Sequence, residues 1–121
     1  MTTALEARKV LTLEEVARLL EATVFCGSNL SIKVSEVGAA DMMSDVLALS
    51  KPGMLLLTGL ISLQVVRTAV VSDLSGIVLV RGKKPSKEIL DLAAESGIPM
   101  LGTSMTMFKA AGVLYGAIFA G

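Results

Sequence analysis

Three short apolar runs limit this fold more than any other feature: "MLLLTG" (54–59), "GIVLVRG" (76–82) and "IPMLGT" (98–103). Each is too short for a helix of ordinary length. Each has the unbroken apolar character of a strand covered on both faces. Helical patterns lie between and before them. "ISLQVVRTAVVSD" (61–73) sets Ile61, Val65, Val66 and Ala69 on one side, with Gln64, Arg67 and Thr68 on the other. "PSKEILDLAAES" (85–96) turns Ile89, Leu90, Ala93 and Ala94 inward, and Lys87, Glu88, Asp91 and Glu95 outward. Ser-Gly-Ile occurs twice, at 75–77 and 96–98. Both copies read as one event, in which a helix ends, glycine reverses the chain and a buried strand begins. Gly97 is the expected helix C-cap. Repeated βα units predict an α/β three-layer sandwich with a mainly parallel sheet flanked by helices on both faces. Right-handed crossovers then carry the strand C-terminal ends to one edge.

The amino-terminal half is less regular. Thr12 and Glu15 form a capping box that opens a helix running to about Glu21. Two short strands are predicted around "TVFC" (23–26) and "SIKV" (31–34), joined by the turn "GSN" (27–29). "GAADMMSDVLALSKPG" (38–53) reads as a helix with Asp41 as N-cap; Met42, Met43, Val46, Leu47 and Leu49 are its apolar positions. Pro52-Gly53 ends it. Helical pattern resumes through "MTMFKAAGVLYGAI" (105–118).

Composition closes several routes to function. The chain, residues 1–121, is read as one domain. Eleven basic and eleven acidic residues balance, and no basic block exceeds Lys83-Lys84. A nucleic-acid module normally concentrates positive charge on one face. Histidine is absent, so no imidazole base or ligand exists within the chain. The single cysteine, Cys26, closes no internal disulfide and holds no metal alone. No P-loop, G-x-S-x-G elbow, Cys/His cluster or G-x-G-x-x-G occurs. No cofactor is expected, and catalysis has little to stand on. Met1 to Val10 has no apolar core of the secretory kind. In "GMLLLTGLISLQVVRTAVV" (53–71), Gln64 and Arg67 would sit in hydrocarbon at a cost of several kcal/mol. A cytoplasmic protein that avoids the membrane is expected. Hydrophobic residues make up 53% of the chain, an excess that suggests a second buried face and therefore a homo-oligomer, a dimer first.

In open parallel sheets, ligands bind beyond the strand C-terminal ends. Three such ends are readable: Thr58-Gly59, Arg81-Gly82-Lys83-Lys84 and Gly102-Thr103-Ser104. Each leads into a helix N-terminus, where unpaired N–H groups favour a phosphate or carboxylate. Arg67 and Arg81 could grip such an anion in bidentate fashion. The candidate ligand residues are Thr58, Gly59, Arg67, Arg81, Gly82, Lys84, Gly102 and Thr103. Ordinary turn chemistry explains the small and hydroxyl residues equally well. Arg67 equally suits a solvated helix face or a subunit contact. Asp41 and Asp45 could contribute to a metal site, but a cap with a first-turn acid is the commoner arrangement.

From residue 76 onward the sequence resembles the DRTGG domain family, and the amino-terminal, non-catalytic domain of HPr kinase/phosphorylase. The shared marks are Gly82, Pro85, Gly97-Ile98-Pro99, Thr103 and Phe108. Upstream, "LLLTG" (55–59) and "QVVRTAVVSDLSGIVLV" (64–80) fit the same pattern, and the likeness runs over about residues 10–118. The Asp-Arg-Thr-Gly-Gly string does not appear intact. The resemblance implies a regulatory or assembly module whose subunits associate. The leading expectation is a non-catalytic domain that forms a homo-oligomer and binds a partner protein, with a small anionic ligand sensed at the strand-end edge. An adenine-nucleotide or phosphometabolite sensor at the strand-end edge is the second reading, with Arg81, Lys84, Thr58 and Thr103 as contacts.

Overall fold

The computed structural model describes residues 8–119; part of the Met1–Val10 reading therefore lies outside the described residues. The elements in order are β1 (Leu11–Thr12), α1 (Leu13–Leu19), β2 (Thr23–Cys26), β3 (Lys33–Val34), β4 (Glu36–Ala39), α2 (Met43–Leu49), β5 (Met54–Thr58), α3 (Leu63–Val71), β6 (Gly76–Leu79), α4 (Lys87–Glu95), β7 (Met100–Gly102) and α5 (Met107–Phe119). A five-stranded sheet has the order β2-β7-β6-β5-β4. Strands β4 to β7 are parallel, and β2 alone runs antiparallel, against β7. β1 and β3 form a separate antiparallel pair.

The apolar runs become the central strands because they are buried on both sides. In β5, Met54 and Leu56 point to one face, and Leu55 and Leu57 to the other. α2, α3 and α4 cover the first face through Val46, Val65, Val66, Ala69, Ile89 and Ala93. α1, α5 and the β1–β3 pair cover the second through Leu13, Val16, Leu20, Ala110, Leu114 and Ile118. The result is the expected three layers. Each fully buried leucine contributes about 1.5–3 kcal/mol of transfer free energy.

Three helices end alike, and the glycine repeat is not the reason. After α1, α3 and α4 a left-handed residue follows the C-cap: Glu21 (φ 51°), Asp73 (φ 56°) and Gly97 (φ 72°). The next amide then reaches back five positions, Ala22 to Ala17, Leu74 to Ala69 and Ile98 to Ala93. This is the Schellman closure of the last turn. Gly97 fills that role, but in the first Ser-Gly-Ile it belongs to Asp73. Gly76 lies inside β6, so the two copies are not equivalent. The same closure ends α1 at Leu19 rather than Glu21.

Other expectations are corrected as well. Thr12 and Glu15 form the predicted box, each side-chain oxygen accepting the other's amide at 3.2 Å. "SIKV" supplies only the two-residue β3, outside the main sheet. Asp41 does not cap α2: Met42 holds that position without a side-chain bond. The reason is β4, which keeps Glu36–Ala39 extended and delays the helix to Met43. On α2, Met42 and Leu47 are exposed rather than packed. Thr68 is buried and Ile61 is exposed, the reverse of the periodicity reading. On α4, Ala94 is exposed, Leu90 is half-buried, and Ile89 and Ala93 carry the contact.

Candidate functional site

The parallel strands do bring their C-terminal ends together. The Ala40 amide donates to the Leu57 carbonyl, Val80 to Thr58 and Thr103 to Leu79, which links the four ends into one row. Beyond β6 the chain makes a tight turn. Arg81 (φ 61°) and Gly82 (φ 70°) are both left-handed, and the Lys83 amide donates to the Val80 carbonyl at 3.2 Å. Two successive positive φ values mark a primed β-turn. Arginine is an uncommon choice there, at a cost of about 1–2 kcal/mol relative to glycine. The turn is held by Arg81 donating to the Met105 carbonyl (2.8 Å) and Gly82 donating to the Thr103 carbonyl (2.9 Å).

That turn aims the Arg81 guanidinium across the end of β5. It packs so close to Gly59 that a Cβ there would meet Nη2. Asp41 completes the group. Its Oδ1 accepts the Gly59 amide at 2.6 Å, and its Oδ2 lies 3.9 Å from Arg81 Nη2. A carboxylate of the chain itself therefore occupies the anion position that the strand-end geometry predicts. The pair is half-exposed, with 50% of the Arg81 side chain and 46% of the Asp41 side chain open to solvent. Such a pair contributes about 0–1 kcal/mol.

The predicted threonines face inward. Thr58 is fully buried and its Oγ1 accepts the Leu60 amide at 3.0 Å. Thr103 Oγ1 donates to the Leu20 carbonyl at 2.7 Å and accepts the Met105 amide at 3.2 Å. Both hydroxyls are used to shape turns. Gly102 is adjacent to the row, but a Cβ on it would run into the Phe25 ring. Arg67 lies on the exposed face of α3, and Lys84 is exposed in the loop before α4. Of the eight predicted residues, Thr58, Gly59, Arg81, Gly82 and Thr103 form the row. Gly102 borders it, and Arg67 and Lys84 stand outside it.

Two cavities lie elsewhere. A groove of about 650 Å³ runs along the outer edge of β4, lined by Val37, Ala39, Leu49, Tyr115 and Phe119 among others. A smaller hollow of about 340 Å³ separates Cys26–Asn29 from the end of α4. Cys26 borders it, donating its S–H to the Ile98 carbonyl at 3.4 Å. Burial pushes the Cys26 thiol above its ordinary value, partly offset by the Met100 backbone. Among the described residues, no group of three or more His, Cys, Asp or Glu side chains could hold a metal ion. No helix among them is long and apolar enough to cross a membrane.

The groove was not predicted. Its signal was present in α5, where Lys109 is the only charged residue between Met107 and Phe119. Phe108 is 91% exposed and Tyr115, seven positions on, is 64% exposed.

The molecule thus belongs to the class of α/β sandwiches whose mainly parallel sheet is covered by helices on both faces. Within that class the chain is a member of the DRTGG domain family, whose sequence profile matches residues 15–117. Its structure is similar to that of the CBS and DRTGG domains of the regulatory region of Clostridium perfringens pyrophosphatase, complexed with the activator diadenosine tetraphosphate. The TM-score is 0.73 at 19% identity, over 88% of this chain and 47% of that one. The chain therefore spans about half the length of that structure, and the likeness is one of fold. A search of curated proteins finds no match.

Proposed function

We propose that this chain is a non-catalytic regulatory module that works in the cytoplasm by association, with copies of itself and with a partner protein. One observation carries the reading: large apolar side chains on three helices stand more than half open to solvent. Phe108 and Tyr115 on α5, Val71 on α3 and Leu47 on α2 are all more than half open. Exposed apolar patches of this kind mark interaction surfaces. Family membership supports a regulatory role. Sedimentation equilibrium of the whole chain at micromolar concentration tests the self-association. A mass above one chain is expected, and a single-chain mass at every concentration refutes it.

The Asp41–Gly59–Arg81 group favours a second reading, in which the strand-end edge senses a nucleotide or another phosphorylated metabolite. The similar pyrophosphatase region carries a nucleotide activator. Here the guanidinium and the Gly59 amide already hold a carboxylate, so an incoming phosphate would have to displace Asp41. Lys84 is exposed and near enough in sequence to join it, whereas the Thr58 and Thr103 hydroxyls are committed to the backbone. Thermal-shift measurements with inorganic phosphate, AMP and ATP test this. A ligand at a hundred times its dissociation constant adds about 2.7 kcal/mol, and no shift with any of them removes the reading.

A further inference from the structure

Two unsatisfied features share one side of the molecule. The first is backbone. Among the described residues β4 is the last strand of the sheet and pairs only with β5. The Ala40 amide donates inward to Leu57, so by strand alternation the amides and carbonyls of Val37 and Ala39 point outward. Proteins normally cover or charge such an edge. The second feature is one side of α5, whose Tyr115 and Phe119 line the same groove while Phe108 and Gly112 continue the stripe beyond it. Phe108, Gly112, Tyr115 and Phe119 follow one another at spacings of four, three and four. That is the rhythm of a helix–helix seam. Phe108, Gly112, Tyr115 and Gly116 are exposed, and a Cβ on either glycine would meet nothing.

We infer that this side is the self-association surface of the chain, and that its occupant is a second copy related by a two-fold axis normal to the sheet at Gly38. The inference rests on the association reading above and gives it a place. Both features are symmetric under the same operation. Pairing Val37 with Ala39 of the other copy joins the outward groups of two β4 strands in antiparallel register. The α5 spacing of four, three and four reads the same in both directions: bulky Phe108 and Phe119 flank an inner pair in which Gly112 of one copy faces Tyr115 of the other. An antiparallel α5 pair sets each large ring against the other copy's seam, with glycine permitting close approach. An isologous interface needs this self-complementarity.

Charge and area agree. Arg8 and Lys51 flank Glu36 at the start of β4, a local excess of one positive charge. Past its end Asp41 is already beside Arg81, which leaves Asp45 as a local excess of one negative charge. The two-fold brings these opposite ends together. An aromatic side chain covers about 150–250 Å² when buried. Phe108, Tyr115 and part of Phe119 therefore approach half of the roughly 800 Å² that each partner gives to a stable interface. The β4 edge, Leu47 and Ala48 are available for the rest.

The test is light scattering of the whole chain at micromolar concentration, beside Phe108→Glu, Tyr115→Glu, Ala39→Pro and the control Val71→Glu. Phe108 is almost fully exposed, so its replacement leaves the fold intact, as circular dichroism would verify. The unmodified chain and Val71→Glu are expected to be dimers. Each of the other three is expected to raise the dissociation constant a hundredfold or more. A dimer that survives all three overturns this surface while leaving the association reading in place. A monomeric unmodified chain overturns both. A chain that dimerises only when begun at Arg8 overturns the choice of occupant, because the preceding residues then hold the groove.

Discussion

The two edges of the sheet solve opposite problems. At the strand-end row both threonine hydroxyls and several turn amides have found partners inside the chain. Thr103 binds Leu20, Thr58 binds Leu60, Gly82 binds Thr103, and Asp41 fills the space between Gly59 and Arg81. At the β4 side the reverse holds. Among the described residues no strand pairs with the outer side of β4, Phe108 and Tyr115 stand more than half open, and a groove of about 650 Å³ runs beside the strand. A surface that satisfies itself needs no guest, whereas an apolar surface with free backbone groups gains by being covered. The contrast is the reason the proposed association is placed at the side of the sheet rather than at the strand ends.

Several measurements would break or sharpen this contrast. The largest expected stability effect is at Thr103. Thr103→Val leaves the Leu20 carbonyl and the Met105 amide unpaired in a buried place, and should cost about 1–3 kcal/mol in denaturant unfolding. Phe108→Ser, at the open side where the ring is 91% exposed, should change the stability of the isolated chain by no more than about 0.5 kcal/mol. Equal losses at the two positions would erase the distinction. Next comes Arg81→Gly, which removes the left-handed strain and an exposed ion pair together. The first outweighs or equals the second, so the net gain is about 0–2 kcal/mol. A clear loss would mean that the guanidinium holds the edge more firmly than its exposure suggests.

Asp41→Asn keeps an acceptor for Gly59 and removes only the charge. It should cost less than about 1 kcal/mol, and the loss should shrink as salt is raised. The smallest effect concerns Cys26. Its folded thiol holds its proton more tightly than the ordinary value of 9.0, chiefly through burial. The associated stability is complete below that value and fades as pH rises through the higher folded one. Cys26→Ala should flatten this alkaline decline in a pH series of melting temperatures.

What could be read in advance follows from how local each cause is. β5, β6 and β7 are legible because strands buried on both faces carry unbroken apolar runs. The start of α1 is legible because its cap lies within four residues. β4 is not, since "EVGA" has one strand-favouring residue and looks like the approach to a helix. Hiding that strand also misplaced Asp41, whose partner Gly59 is far along the chain. The strand-end row could be located from topology alone. That its hydroxyls are already engaged could not, because the Thr103 partner is 83 positions away. The repeated Ser-Gly-Ile misled for a related reason: Asp73 can adopt the left-handed turn that glycine usually supplies.

Amide hydrogen exchange at Val37 and Ala39 tests the central claim most directly. At a concentration where the chain sediments as a dimer, the account predicts that both amides exchange as slowly as those of Leu55 to Leu57. Exchange of both at the rate of an open strand, in a sample that is fully associated, would contradict it.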